Sequence, residues 1–204
     1  MKGALLIVSG PSGAGKSSLI HKILETTPDA IFSISSTTRT IRDGEIDGVN
    51  YFFTTKEKFE KDIEDGLFLE WAKVHENYYG TSLKPILKFI KEGKLVILDI
   101  DVQGFKIARE KFSEYITSVF VTTNSQAELK SRLENRKTNS DEDINRRLNN
   151  ALLEMTHIHE YDFLVINDDL HLAAKELSSI ALAARKNTKL VNLGEFIGNW
   201  TNLE

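Results

Sequence analysis

The chain alternates short, continuously apolar runs with longer stretches of mixed polarity. Leu5 to Ser9, Leu95 to Leu98, Ile116 to Thr122 and Phe163 to Ile166 read as buried strands. Lys16 to Glu25, Gln103 to Phe112, Ser125 to Arg136, Asp141 to His159 and Leu170 to Lys186 read as helices. Strands that are largely apolar and separated by helices predict a parallel sheet covered on both faces. Between Phe32 and Gly80 the texture changes. Phe32 to Ser35, Val49 to Thr54 and Phe68 to Val74 predict short strands with polar neighbours, interrupted by one helix from about Lys56 to Asp65. That segment reads as a small inserted α+β lobe.

At the far end, Leu193, Phe196, Ile197 and Trp200 fall at i, i+3, i+4 and i+7, and Leu203 extends the stripe. Gly194, Glu195, Asn199 and Asn202 fill the opposite face. A helix this short does not stand alone in water and must bury its stripe. The expected partner is the core beside Leu170 to Lys186. A subunit contact or a flexible end are the other outlets.

Composition narrows the class. The chain has 204 residues, 41% hydrophobic and 27% charged, as in ordinary globular proteins. The absence of cysteine excludes a disulfide framework, a Cys-type zinc site and a thiol nucleophile. Net charge is 26 − 30 = −4, which argues against a general nucleic-acid binder. The apolar run Ala4 to Val8 after Met1-Lys2-Gly3 is far shorter than a signal or membrane segment. A cytoplasmic protein is therefore expected, without nucleic-acid or membrane partners. The five histidines have no metal-ligand spacing.

One segment carries specific chemistry. Gly10-Pro11-Ser12-Gly13-Ala14-Gly15-Lys16-Ser17 follows a predicted strand and opens a predicted helix. In that context it matches the Gly-x4-Gly-Lys-Ser/Thr phosphate loop. Glycines let backbone N–H groups converge on phosphate oxygens, and the helix N-terminus adds its positive end. Lys16 supplies a mobile charge to the β and γ phosphates, and the Ser17 hydroxyl is placed to ligate Mg²⁺. Leu95 to Leu98 ends in Asp99-Ile100-Asp101, where parallel sheets gather ligands. Asp99 there suits Mg²⁺, directly or through water. The plainer reading makes these acids caps, with Asp101 starting the next helix. Together these features predict a nucleoside-triphosphate site.

The acceptor is signalled less sharply. Ser35 to Arg42 packs Arg39 and Arg42 into a hydroxyl-rich run, a possible fork for a second phosphate. Glu70 is a single acid in apolar surroundings, and Tyr78-Tyr79-Gly80-Thr81 adds phenols and a hydroxyl. Each also has a structural reading: solvated arginines, a carboxylate on an outer strand face, a core tyrosine.

These segments, with Gly44-Glu45, Phe68-Leu69-Glu70-Trp71-Ala72, Asn77-Tyr78-Tyr79-Gly80, Gln103-Gly104 and Val165-Ile166-Asn167-Asp168-Asp169-Leu170, resemble the guanylate kinase family in order from about residue 4 to about residue 186. The resemblance implies one guanylate-kinase-like domain over 1–204. Its core would be 1–34, 82–124 and 155–186, its GMP-binding lobe 35–81 and its lid 125–154, with an amphipathic tail over 187–204. It implies Mg²⁺-dependent transfer of the γ-phosphoryl group of ATP to GMP or dGMP, by a monomer or homodimer.

By the same resemblance, residues Gly10 to Ser18 and Asn167 hold ATP, Asn167 near the adenine. Ser35, Glu70, Thr81 and Asp101 surround the guanine. Arg39, Arg42, Tyr51 and Tyr79 hold the GMP phosphate beside the Gly80 backbone. Arg132, Arg136 and Arg147 reach the ATP phosphates when the lid closes. Asp101 has an alternative role, organising Arg39 or Arg42. The chemistry of the base agrees with a carboxylate at Glu70. Guanine presents two adjacent donors, N1–H and N2–H₂, which one carboxylate accepts, whereas adenine presents an acceptor at N1. Two other classes match the sequence less well. A non-catalytic module holding a phosphorylated peptide fits poorly with an intact Lys16, Ser17 and both acids. A sugar-phosphate kinase would not need Glu70 with Ser35.

Overall fold

Strand β1 (Ala4–Ser9) is buried along its whole length, and its alternating side chains feed two cores. Ala4, Leu6 and Val8 pack with Leu19, Ile20 and Ile23 of α1 (Lys16–Thr26) and with Ala173, Leu177 and Ala181 of α7 (Leu170–Ala184). Leu5 and Ile7 pack on the other face with Ile86 and Ile90 of α3 (Leu83–Lys91) and Val102, Phe105 and Ala108 of α4 (Val102–Phe112). Each fully buried Leu or Ile contributes about 1.5–3 kcal/mol. A strand buried on both faces has no polar side to show, which is why its sequence is a run rather than an alternation.

The computed structural model describes residues 2–74, 76–135 and 140–201. Among them, β2 (Ala30–Phe32), β7 (Leu95–Asp99), β1, β8 (Ile116–Thr122) and β9 (Phe163–Ile166) form one parallel sheet in the order β2-β7-β1-β8-β9. A second sheet, β4-β3-β6-β5, uses β3 (Ser36–Thr37), β4 (Phe52–Phe53), β5 (Phe68–Val74) and β6 (Asn77–Ser82). Helix α2 (Lys56–Glu64) covers it through Phe59, whose ring stacks on Phe68 at 4.3 Å and Tyr78 at 5.3 Å between centroids. Helices α5 (Gln126–Asn135) and α6 (Asp141–Met155) form a hairpin with its own small core of Leu129, Leu133, Ile144, Leu148 and Ala151.

Several elements differ from expectation. The strand expected at Phe32 to Ser35 is two pieces in two sheets. Residues Ala30–Phe32 pair with β7 in the core, and the chain then crosses to the lobe before Ser36–Thr37. Only Phe52–Phe53 of Val49 to Thr54 is strand. The preceding residues turn at Gly48 (φ +73°), where its N–H donates to the Tyr51 carbonyl. Tyr78 to Thr81 lies within β6, the strand that joins the two halves of the lobe sheet. Helix α3 had no counterpart in the sequence reading. The helix from Asp141 stops at Met155, because Thr156 Oγ1 donates to the Leu153 carbonyl and the chain tightens into a 3₁₀ turn at Ile158–Glu160.

The tail is the largest departure. Leu190 is buried, and its carbonyl accepts from Lys2 N–H at 2.9 Å, so this segment belongs to the core. Helix α8 (Leu193–Thr201) follows, but it does not pack on α7: Leu193, Phe196, Ile197 and Trp200 are 50–77% exposed. Leu203 lies outside the described residues. Removing residues 193–204 should therefore leave the thermal midpoint of the isolated chain within about 2 °C. Truncation after Lys186 also loses Leu190 and should lower it by about 5 °C or more. Equal losses, or a sedimentation change on removing α8 alone, would mean that α8 buries its stripe in solution.

Candidate active site

The site lies at the carboxyl ends of β1, β7, β8 and β9. The register sets Val8 opposite Asp99, Ser9 opposite Phe120 and Thr122 opposite Ile166, so the strands end together. Such a crevice is where open parallel sheets bind ligands. The loop after β1 fills it. A Cβ on Gly10 (φ +133°) would stand 1.9 Å from the Val121 carbonyl oxygen, and one on Gly15 (φ +90°) 2.3 Å from Asn167 Nδ2. No other residue fits either position. Asn167, itself buried, donates to the Ala14 carbonyl at 2.7 Å and ties the end of β9 to the loop.

Lys16 opens α1 and turns back over the loop. Its Nζ donates to the Gly10 carbonyl at 2.6 Å and lies 3.9 Å from Asp99 Oδ1. Burial pushes the Asp99 carboxyl above its ordinary value, and the Lys16 charge pulls it back. Ser17 and Ser18 are exposed at the start of α1. Among the described residues, no group of three acids or histidines could hold a metal ion unaided. The Ser17 hydroxyl and the Asp99 carboxylate are hard oxygen donors, which suits Mg²⁺ that retains waters and arrives with phosphates.

The α5–α6 hairpin is seated on this loop. Arg147 donates to Ser12 Oγ at 2.6 Å, while its Nε is buried without a partner among the described residues. Arg132 donates to Glu128 at 2.8 Å and to the Asn167 carbonyl at 2.7 Å. With Gly13, Gly15, Ser18, Asn167 and Asp168 it lines a cavity of ≈ 270 Å³. Arg136 lies outside the described residues.

In the lobe, a bulge between Phe68 and Glu70 sets the direction of the Glu70 carboxylate. Phe68 pairs with Ser82 but Glu70 with Thr81. The extra residue, Leu69, drops into the core beneath α4, and Glu70 is re-aimed. Thr81 Oγ1 donates to Glu70 Oε1 at 2.5 Å. Burial raises the Glu70 carboxyl, the Thr81 hydroxyl draws it down, and the charge of Asp101 pushes it up. Asp101 caps α4, its Oδ1 accepting from Gly104 N–H at 2.8 Å.

Asp101 therefore does not organise the arginines; Glu45 does. Its carboxylate takes both terminal nitrogens of Arg39, at 3.0 and 2.7 Å, and the backbone N–H of Arg42 at 2.8 Å. The pairing holds the Glu45 carboxyl below the usual carboxylate range. The Arg39 guanidinium lies 5.5 Å from the Tyr51 ring centre, and Tyr51 meets Tyr79 edge-on at 6.0 Å. Arg42 is exposed, and Ser35 contributes a carbonyl to Phe52 N–H. Gly80 sits where a Cβ would stand 3.0 Å from Glu70 O, Phe59 and Phe68, so packing there is tight and favours glycine. Sequence reasoning did not single out Glu45 as an organiser, although its i, i+3, i+6 spacing with Arg39 and Arg42 was visible.

A phosphate loop on a parallel sheet, a lid carrying arginines and a lobe with its own arginine and carboxylate define a phosphate-loop nucleotide kinase with two nucleotide sites. The guanylate kinase family model matches residues 2–184. Guanylate kinases from Sulfurimonas denitrificans and Campylobacter jejuni are 50% and 49% identical, over 98% and 100% of this chain and the same shares of their own. A crystal structure of guanylate kinase from Anaplasma phagocytophilum superposes with a TM-score of 0.79 at 30% identity, covering 100% of this chain and 97% of that one. The chain belongs to the guanylate kinase family.

The raised Glu70 carboxyl has a testable sign. A carboxyl elevated in the fold destabilises it as pH rises past the unfolded value, near ~4.3, and most fully above the folded value. Glu70→Gln removes that penalty. Its thermal midpoint relative to the parent should therefore improve between about pH 4 and pH 7, measured by circular dichroism. A relative loss over that range would contradict a desolvated, charged Glu70.

Proposed function

We propose that this chain transfers the γ-phosphoryl group of ATP to GMP, or to its 2′-deoxy form, giving ADP and GDP, with Mg²⁺ and in the cytoplasm. The observation that carries the acceptor assignment is Glu70. It is a half-buried carboxylate, aimed by a bulge and held by Thr81 beside Asp101. Guanine offers such a group two adjacent donors, N1–H and N2–H₂. Adenine would leave it facing an acceptor, a mismatch that hydrogen-bonding sites reject by up to about 10⁴-fold.

The nucleophile is an oxygen of the GMP phosphate, already ionised at neutral pH. It attacks the γ phosphorus as the bond to the β–γ bridging oxygen breaks, and ADP leaves with that electron pair. No general base is needed. Catalysis is alignment and charge neutralisation. Arg39, held by Glu45 beside Tyr51 and Tyr79, receives the GMP phosphate, with Arg42 free to join it from the surface. Lys16 exchanges the Gly10 carbonyl for the β and γ oxygens. Arg147 brings its unpartnered Nε to the same phosphates, and Arg132 approaches with the lid. Ser17 and Asp99 would hold Mg²⁺, which supplies further neutralisation of the phosphate oxygens. Asn167 acts first as the brace of the loop and lies in the cavity beside Ser18 that suits the adenosine end. Closure of the lid over these groups excludes water and keeps ATP from hydrolysis.

Three variants test this assignment in a coupled assay of ADP release. Lys16→Ala should lower turnover by at least about 100-fold with an unchanged thermal midpoint. Activity above a tenth of the parent would remove the loop from the chemistry. Glu70→Gln presents a donor opposite a donor, so the KM for GMP should rise about tenfold to a thousandfold, from about 1–4 kcal/mol of lost recognition. Equal effects on GMP and ATP would make Glu70 structural. Arg132→Ala combined with Arg147→Ala should lower kcat more than it raises either KM, since lid contacts mature in the closed state. Weakened ATP binding at full kcat would contradict that role.

A further inference from the structure

We infer that Gly104 is a positioning residue for guanine recognition: the missing side chain there sets where the Glu70 carboxylate stands. This rests on the proposed acceptor reading. Gly104 is buried in the first turn of α4. It is absent from the glycines with positive φ, so its backbone conformation does not require glycine. Glycine is otherwise the poorest residue for a helix interior after proline. The requirement is spatial. A Cβ on Gly104 would stand 3.1 Å from Glu70 Cγ and 3.2 Å from Ile100 Cβ, with Asp101 Oδ1 at 3.5 Å.

Of those neighbours, Ile100 is packed into the core and cannot retreat. Asp101 Oδ1 is committed to the N–H of Gly104 itself. Glu70 is the side chain left to move, and its far side is already held by Thr81 at 2.5 Å. The carboxylate is thus clamped between a strand hydroxyl and the bare first turn of a helix. An added methyl would displace it by a few tenths of an ångström. A carboxylate that must meet N1–H and N2–H₂ together needs both distances and both angles, and it tolerates such a shift poorly. Helix α4 belongs to the core and β5 to the lobe, so Gly104 also registers the one on the other.

The test is Gly104→Ala, assayed with GMP, with ATP and with inosine monophosphate, which lacks the 2-amino group. The expected result is a three- to tenfold rise in KM for GMP, with kcat and the KM for ATP within twofold. The preference for GMP over inosine monophosphate should fall; in the thermal midpoint the tight contact with Ile100 opposes the better helix propensity of alanine, so the nucleotide split is the readout. Gly104→Ser, which carries the same Cβ, should show the same split. In a Glu70→Ala background the Gly104→Ala change should add nothing to the KM for GMP, because the side chain it displaces is gone. An unchanged KM for GMP in the parent background overturns the inference. So does a rise that persists without Glu70, which would make Gly104 a packing residue only. If Glu70→Ala itself leaves the KM for GMP unaltered, the guanine reading of Glu70 is overturned, and the inference with it.

Discussion

The close fit of the loop after β1 against its neighbours is the constraint on which the rest of this molecule depends. Gly10 lies against the Val121 carbonyl of β8, and Gly15 against Asn167 beyond β9. The loop is seated where four parallel strands end level. The sheet order and register are therefore part of the nucleotide site rather than a support for it. Asn167 extends the dependence outward. Its amide braces the loop at Ala14, and its carbonyl accepts from Arg132 of the lid. Loop, sheet edge and lid share one residue.

The lobe solves a different problem, that of holding charged side chains in fixed orientations. Arg39 is held by Glu45 and flanked by aromatic rings, so its guanidinium is held in one orientation. Glu70 is desolvated and kept near Asp101, and both raise its carboxyl above the ordinary value. The bulge that aims it also plants Leu69 in the core, so the placement of Glu70 and the docking of the lobe have a common structural origin. Gly104 faces the same carboxylate from the helix side.

Much of the core was legible in sequence because its signals are local. Leu5 to Ser9 is apolar without interruption and abuts a glycine-rich turn with Lys16 in phase, so strand, loop and helix declare one another. The lobe was less legible because its strands are short and paired at a distance. Residues 32–35 look like one strand, but the chain changes sheets there. Tyr78 to Thr81 reads only as a set of side chains and not as a strand, yet it lies in β6, where Phe59 and Phe68 pack closely on Gly80. Pairing partners such as Glu45 and Arg39, or Arg147 and Ser12, are visible as residue types, but their distances come only with the fold. Helix α8 shows the opposite failure. Its periodicity predicts a buried stripe, and within this chain the stripe remains exposed.

The central claim is that ATP and GMP meet on this chain and exchange one phosphoryl group. Phosphorus NMR of the purified protein with ATP, Mg²⁺ and GMP tests it most directly, with AMP replacing GMP in a parallel sample. The account predicts that GDP and ADP appear in equal amounts with GMP, and that AMP is not phosphorylated at a comparable rate. Release of ADP and inorganic phosphate without GDP, or equal phosphorylation of AMP, would contradict it.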